Sequence, residues 1–66
     1  MTRNYLSGSI KKALVIIECV GKSTRPLKAS EVSNITKLER ATAFRILTYL
    51  TSLGYIFKDI NNNLYS

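Results

Sequence analysis

The sequence predicts a mainly α-helical fold with a small β-hairpin, arranged as a three-helix winged helix-turn-helix. Apolar residues recur three and four residues apart in three successive stretches, which is typical of helices with one buried face. After Gly54 the pattern changes to β-branched and aromatic residues, which favour a strand. The 66 residues are enough for one domain, so we expect residues 1–66 to fold as a single winged helix, with the wing at residues 55–66.

The first helix is predicted over about Ser9–Val20. Residues 1–8 show no apolar period and are expected to form a loose N-terminal arm. Ser7 or Ser9 is the expected N-cap, and Gly21 is the expected stop. The buried stripe is predicted at Ile10, Ala13, Leu14, Ile17 and Val20, widened by Val15 and Ile16.

The second helix is predicted over about Ser30–Thr36. Pro26 favours extended backbone at the residue before it, and residues 27–29 are expected to be short and extended. Ser30 is the expected N-cap, and Glu31 lies in the first turn, where the helix dipole favours an acid. The inward-facing side chains are expected to be Val32 and Ile35.

The third helix and a hairpin follow. The helix is predicted over about Glu39–Leu53, with Gly54 as its stop. A strand is expected at Tyr55–Lys58, a turn at Asp59–Asn63 and a return strand at Leu64–Ser66, because asparagine tolerates turn geometry. The buried stripe of the third helix is predicted at Ala43, Ile46, Leu47, Leu50 and Leu53.

Composition limits the function. Ten Lys and Arg residues against four Asp and Glu residues give a net charge of +6, which indicates a polyanionic partner, although a charge that only aids solubility is the alternative. There is no histidine and one cysteine, Cys19, so an internal disulfide, a zinc site and a catalytic triad are not expected. Cys19 is expected to be a buried, inert thiol. We therefore expect no enzyme, no cofactor and no small-molecule site.

The N-terminus lacks the apolar core of a signal peptide, and the chain has no 18-residue apolar run. We therefore expect no membrane association and a cytoplasmic, nucleoid-associated protein.

Four motifs in order carry a family resemblance. They are Ser9-Ile10-Lys11-Lys12-Ala13-Leu14-Val15-Ile16-Ile17, Pro26-Leu27 with the helix start Ser30-Glu31-Val32, Ala41-Thr42-Ala43-Phe44-Arg45-Ile46-Leu47-Thr48-Tyr49-Leu50, and Leu53-Gly54-Tyr55-Ile56. This set resembles the N-terminal DNA-binding domain of the IclR family of bacterial and archaeal transcription regulators. The resemblance implies binding of duplex DNA. It also implies a larger effector-binding domain, so a trimmed fragment and a stand-alone winged helix are both open.

The chain departs from the family pattern around the third helix. Lys37 replaces a glycine in the turn, and Glu39 replaces a proline before the recognition helix. Ala41 stands where a serine is usual, and Phe44 where a histidine is common. We therefore expect the DNA target sequence to differ from those of typical family members, and we expect the fold to be the same.

The expected DNA contacts come from the third helix and the wing. The first turns of a recognition helix enter the major groove most deeply, and the planar guanidinium of Arg45 suits phosphate or a guanine edge. Wing residues are expected on the minor groove or a flanking phosphate. The predicted contact residues are Lys37, Arg40, Ala41, Thr42, Phe44, Arg45, Tyr49, Lys58, Asn61 and Asn62.

Structural roles are the alternatives for several of these residues. Arg45 could pair with Glu31, and Thr42 could cap or pack. Phe44 and Tyr49 could pack in the core, and the asparagines could simply form the turn.

Two functions remain open. The first is sequence-specific binding of duplex DNA, with a homodimer formed through the first helix and the arm, including Tyr5 and Leu6, because one small domain reads few base pairs. The alternative is a winged helix that docks a protein partner through the third helix and does not bind DNA.

Overall fold

The computed structural model describes residues 8–66 and has three helices followed by a two-stranded antiparallel hairpin. This confirms the predicted fold class. The elements are α1 (Gly8–Lys22), α2 (Ala29–Thr36), α3 (Arg40–Ser52), β1 (Lys58–Asp59) and β2 (Leu64–Tyr65). Gly8 was expected in the arm and is instead the first residue of α1, which also places Ser9 inside the helix rather than at its cap. The expectations for Tyr5, Leu6 and Ser7 lie outside the described residues.

One apolar core lies between the three helices and the hairpin. Each helix packs against the other two. The buried side chains are Ile16, Val20, Leu27, Val32, Ala43, Leu47, Leu50, Ile56 and Tyr65. Because the loop before α2 and the returning strand both contribute, the hairpin is part of the core rather than an appendage.

The predicted buried faces of α1 and α2 were partly wrong. In α1 burial centres on Ile16 and Val20, whereas Ile10 and Leu14 are 50% and 49% exposed. Residues 14 and 16 differ by roughly 200° around a helix, so a helix that buries Ile16 turns Leu14 outward. Ile35 in α2 is likewise exposed. The spacing of apolar residues therefore predicted more buried side chains than a core of this size can cover.

In α3 the predicted stripe is mostly correct. Ala43, Leu47 and Leu50 are buried, and Ile46 is half-buried. Leu53 is 52% exposed, because it is the C-cap residue, where the chain leaves the helix axis.

The two predicted glycine stops behave differently. Gly54 has φ +88°, the left-handed conformation that ends a helix, as predicted. The Gly54 N–H donates to the Thr51 carbonyl (3.1 Å) and the Tyr55 N–H to the Leu50 carbonyl (3.0 Å), the Schellman arrangement. Gly21 was wrong as a stop: it does not adopt a positive φ, and α1 continues through Lys22.

This helix end also explains why the first strand begins later than predicted. The N–H groups of Tyr55 and Ile56 both donate to the Leu50 carbonyl, at 3.0 and 3.4 Å, so neither is available to a strand. Backbone pairing starts at Phe57, whose N–H and carbonyl each bond Ser66 at 2.9 Å. The predicted strand Tyr55–Lys58 is therefore reduced to its last residue, and β1 is Lys58–Asp59.

The start of α2 was predicted one residue late, and Ser30 was wrong as its cap. The N-cap is Lys28, whose N–H donates to the Glu31 carboxylate at 2.8 Å. The two carboxylate oxygens of Glu31 also accept two hydrogen bonds from the Arg25 guanidinium, at 3.2 and 2.8 Å. The hydrogen bond and charge of Arg25, with the Lys28 N–H, lower the pKa of Glu31 to about 2.

The turn between α2 and α3 spans Lys37, Leu38 and Glu39. Lys37 is the C-cap of α2 with φ +65°, so lysine adopts here the left-handed geometry that glycine adopts without strain. The Ser33 hydroxyl donates to the Leu38 carbonyl at 2.6 Å and fixes the turn. Glu39, predicted as the first residue of α3, is its N-cap.

Tyr65 of β2 is paired on both sides. It stands opposite Lys58 in β1 and forms an antiparallel bridge with Leu27. The extended stretch expected before α2 thus joins the two-stranded sheet through one isolated bridge, at Leu27.

Cys19 is half-buried rather than buried, and this partial burial raises the pKa of its thiol. Within residues 8–66, no helix has both the length and the apolar character that crossing a bilayer requires.

Paired truncations distinguish the observed core from the predicted stripe. Leu47→Ala should lower the free energy of unfolding by about 2–5 kcal/mol, because Leu47 is fully buried. Leu53→Ala, the same change at an exposed position, should cost under about 1 kcal/mol. Urea unfolding followed by circular dichroism measures both, and equal losses would contradict the buried face described for α3.

The Glu31 cluster should make stability depend on pH in the acid range. Because the folded pKa is lowered, Glu31 stabilises the fold above its ordinary value of 4.5 and loses this effect as pH falls towards about 2. Melting temperatures between pH 6 and 2 should therefore fall less steeply for Glu31→Gln than for wild type. Glu18→Gln is the matched control, since its 4.0 Å pair with Lys22 is well exposed. Parallel curves for wild type and Glu31→Gln would refute the assignment.

Candidate nucleic-acid interface

The exposed face of α3 has a centre and two flanks. At roughly 100° per residue, Ala41, Arg45 and Thr48 point away from the buried side formed by Ala43 and Leu47. Arg40 and Phe44 lie on the flank towards the wing. Thr42 and Tyr49 lie on the flank towards α1, where Thr42 is half-buried. The predicted contact residues of α3 are therefore spread over more than half of its circumference.

A groove separates the wing from α3, and we call it the wing groove. Its walls are the first residues of α2, the first two turns of α3 and the wing. The lining residues are Lys28, Ala29, Ser30, Arg40, Phe44, Lys58, Asn62, Asn63 and Tyr65. The groove thus brings together four of the predicted contact residues, Arg40, Phe44, Lys58 and Asn62.

Lys58 is held at the base of the wing between two aromatic rings. Its Nζ lies 5.9 Å from the centre of the Phe44 ring and 5.5 Å from that of Tyr65. Both distances are within the range of a cation–π interaction. Phe44 is 51% exposed, so packing in the core, the alternative for this residue, is wrong; its ring contacts the lysine instead.

No cation of the wing groove forms an ion pair within 4.0 Å with a carboxylate of residues 8–66, although the charge of Lys28 acts on Glu31 and helps to lower its pKa. The ion pairs of this part of the chain join Lys22 to Glu18 and Arg25 to Glu31. Lys28, Arg40 and Lys58 therefore keep their positive charges on one side of the molecule. Arg45 is exposed and, contrary to the alternative for it, is not paired with Glu31, which Arg25 occupies.

A second groove runs between α1 and α3, and we call it the α1 groove. Its lining residues are Ser9, Ile10, Lys12, Ala13, Arg45, Ile46 and Tyr49. Tyr49 is 63% exposed, so the alternative of core packing is wrong for it as well. Arg45 and Tyr49 line this groove and not the wing groove.

The wing turn is built on Asp59. The Asp59 carboxylate accepts the Asn61 N–H at 3.0 Å and the Asn62 side-chain amide at 2.9 Å. The Asp59 carbonyl accepts the Asn63 N–H at 2.8 Å, and Asn63 has φ +57°. The asparagines therefore do form the turn, and they remain exposed. Ile60 stands out from it, 83% exposed.

Lys37, Ala41, Thr42 and Asn61 line neither groove. Lys37 is exposed in the turn before α3, and Ala41 is exposed near the start of α3.

Sequence reasoning missed Lys28 as a groove residue and considered Ser30 mainly as a cap. Lys28 and Ser30 precede Lys58 by about thirty positions, and no local pattern signals that they share a groove. The bridge between Leu27 and Tyr65 was the missing information, since it places the start of α2 beside the wing.

Residues 9–59 match the IclR helix-turn-helix domain. The chain belongs to this family. Membership confirms the resemblance predicted from the motifs and indicates a domain of DNA-binding transcription regulation, a type that is typically not enzymatic. The match ends at Asp59, before β2. No curated protein matches the chain.

Proposed function

We propose that this IclR-type domain binds duplex DNA sequence-specifically and regulates transcription, in the cytoplasm and on the nucleoid. The supporting observation is the exposed face of α3. It carries Arg40 and Arg45 without an ion-pair partner among residues 8–66, on a helix that the core and the turn at Lys37 hold rigidly. In this proposal α3 lies in the major groove, and the wing lies on the flanking backbone or minor groove.

The residues at the centre of the exposed face are proposed to read bases. The guanidinium of Arg45 can donate two hydrogen bonds to a guanine edge, and the methyl group of Ala41 can contact the methyl group of thymine. The remaining residues are proposed to fix the register. Lys37, Thr42 and Tyr49 contact phosphates from the turn and the α1 flank, and Asn61 and Asn62 contact the DNA from the wing.

A protein-docking role is the second candidate, and the exposed apolar surface supports it. Tyr49 and Leu53 on α3 are 63% and 52% exposed. A partner that used this flank would contact apolar side chains, whereas DNA would contact the cationic centre. The response of binding to salt distinguishes the two, because counterion release accompanies phosphate contacts.

The homodimer is proposed to form through α1. Leu14 is 49% exposed on a helix whose buried side is centred elsewhere. Ile10 lies one turn before Leu14, on the same side of the helix. A two-fold pairing of this surface would cover apolar area and present two copies of α3 to a palindromic site.

The DNA proposal is tested by fluorescence anisotropy against random duplex DNA, at low and then near-physiological salt, followed by selection of a preferred site. Arg45→Ala should weaken binding to the selected site by about 1–3 kcal/mol and reduce its advantage over random DNA. Lys22→Ala removes one positive charge at the far end of α1 and is the control. Unchanged affinity of Arg45→Ala for the selected site would contradict the proposed contact of Arg45 with a base. Absence of binding by wild type even at low salt would favour the protein-docking role.

The dimer proposal is tested by sedimentation equilibrium. Leu14→Glu should shift the protein to monomer, because a buried carboxylate at the two-fold contact is costly. Val15→Glu introduces the same charge roughly 100° away on α1 and should dimerise as wild type does. Melting temperatures of both variants check the fold. A wild type that is monomeric at tens of micromolar, or two variants that behave alike, would contradict the α1 interface.

A further inference from the structure

We propose that the wing groove is a binding site for a backbone phosphodiester of duplex DNA, and that Phe44 is a positioning residue that holds the Lys58 ammonium in it. This inference rests on the proposed DNA binding and assigns a role to one part of the interface. Arg40 accordingly contacts phosphate, while Arg45 at the centre of the face reads bases.

Charge is the first argument. Lys28, Arg40 and Lys58 come from three different parts of the chain and line one groove, and none is paired with a carboxylate of residues 8–66. Three cations around an open groove repel one another, and an anion between them relieves that repulsion. Ala29 and Ser30, at the start of α2, also line the groove, and the first turn of a helix carries a positive partial charge.

Rigidity is the second argument. Tyr65 stands opposite Lys58 in the hairpin and forms a bridge with Leu27, so backbone pairing positions the backbones of Lys28 and Lys58 relative to each other. The Lys28 N–H is also bonded to Glu31. A site whose backbone is fixed before binding loses less conformational entropy when the phosphate arrives.

The position of the Lys58 ammonium against two aromatic rings also supports the phosphate site. A lysine side chain ordinarily moves freely among many rotamers, and ordering it opposes binding. Here the rings of Phe44 and Tyr65 attract the ammonium without neutralising it. The two aromatic rings therefore order the lysine and leave its positive charge available, whereas a carboxylate would have neutralised that charge. This gives the exposed Phe44 a function that neither core packing nor base contact supplies.

The charge assignment is tested by the salt dependence of binding to duplex DNA. Lys58→Gln, Arg40→Gln and Lys28→Gln should each reduce the slope of log affinity against log salt by about one. The loss should be the same for the selected site and for random DNA, because phosphates carry no sequence information. Lys22→Gln is the control with the same loss of charge elsewhere on the molecule.

The role of Phe44 is tested by a double-mutant cycle with Lys58. Phe44→Leu removes the ring but keeps an apolar side chain, and it should weaken binding roughly two- to fivefold. Phe44→Tyr keeps the ring and should restore affinity. In a Lys58→Gln background, Phe44→Leu should have no further effect, because Phe44 acts through the lysine. Tyr65 is fully buried and is left unchanged to preserve the fold.

The outcomes separate this inference from the proposed function. DNA binding with a Lys58→Gln slope equal to that of Lys22→Gln would overturn the phosphate site. Additive effects of Phe44→Leu and Lys58→Gln would overturn the positioning role. Binding of inorganic phosphate by the wild type, with no change of the DNA slope in the variants, would assign the groove to a free anion and overturn the inference as well. Failure of wild type to bind any duplex would overturn the proposed function and this inference together.

Discussion

The pairing of Tyr65 on both of its edges is the constraint on which the rest of the structure depends. Its N–H and carbonyl bond the Leu27 backbone at 2.7 and 2.8 Å, and it stands opposite Lys58 in β1. Its side chain is 2% exposed and is among the largest in the core. Burial of an aromatic ring supplies a large share of the apolar contact in a domain this small. The wing therefore cannot move away from α2 without exposing that ring and breaking the bridge.

Small size also explains the distribution of the apolar side chains. The core that three short helices can enclose is filled by one side chain or a few from each element. Further apolar residues remain outside, on α1, on the flanks of α3 and around the hairpin. On the wing flank of α3, the exposed Phe44 ring contacts the ammonium group of Lys58. On the α1 flank, apolar residues of α1 and α3 line a groove together.

Much of the fold could be predicted from the sequence because helix periods and caps are local. The order of elements, the turn before α3 and the left-handed stop at Gly54 all follow from neighbouring residues. Gly21 misled because glycine ends a helix only where the chain adopts a positive φ, and composition does not reveal φ. Ser30 misled because Glu31 bonds the Lys28 N–H and moves the cap two residues earlier. In both cases neighbouring residues compete for the same role at a helix end, and residue propensity alone does not decide which of them takes it.

The candidate interface was less predictable, because its grouping depends on contacts between distant residues. Arg40 and Arg45 were both expected on the exposed face, and both are there. What periodicity could not supply is that Arg40 shares a groove with Lys28 and Lys58, while Arg45 lines the opposite one. That division depends on the bridge of Tyr65 to Leu27, which joins positions almost forty residues apart.

The cations of this chain differ in what surrounds them. Some are neutralised in ion pairs that stabilise the fold, and others keep a charge that an anionic partner can contact. The Arg25 guanidinium is held by both oxygens of Glu31, whose pKa it lowers, so its charge is used in fixing the start of α2. Lys58 is positioned instead by aromatic rings, which leave its charge intact. A carboxylate in place of Phe44 would order the lysine and neutralise it. A small aliphatic side chain would leave it charged and disordered. Phenylalanine at this position does neither, which is why an exposed aromatic residue on α3 is consistent with a surface that binds a polyanion.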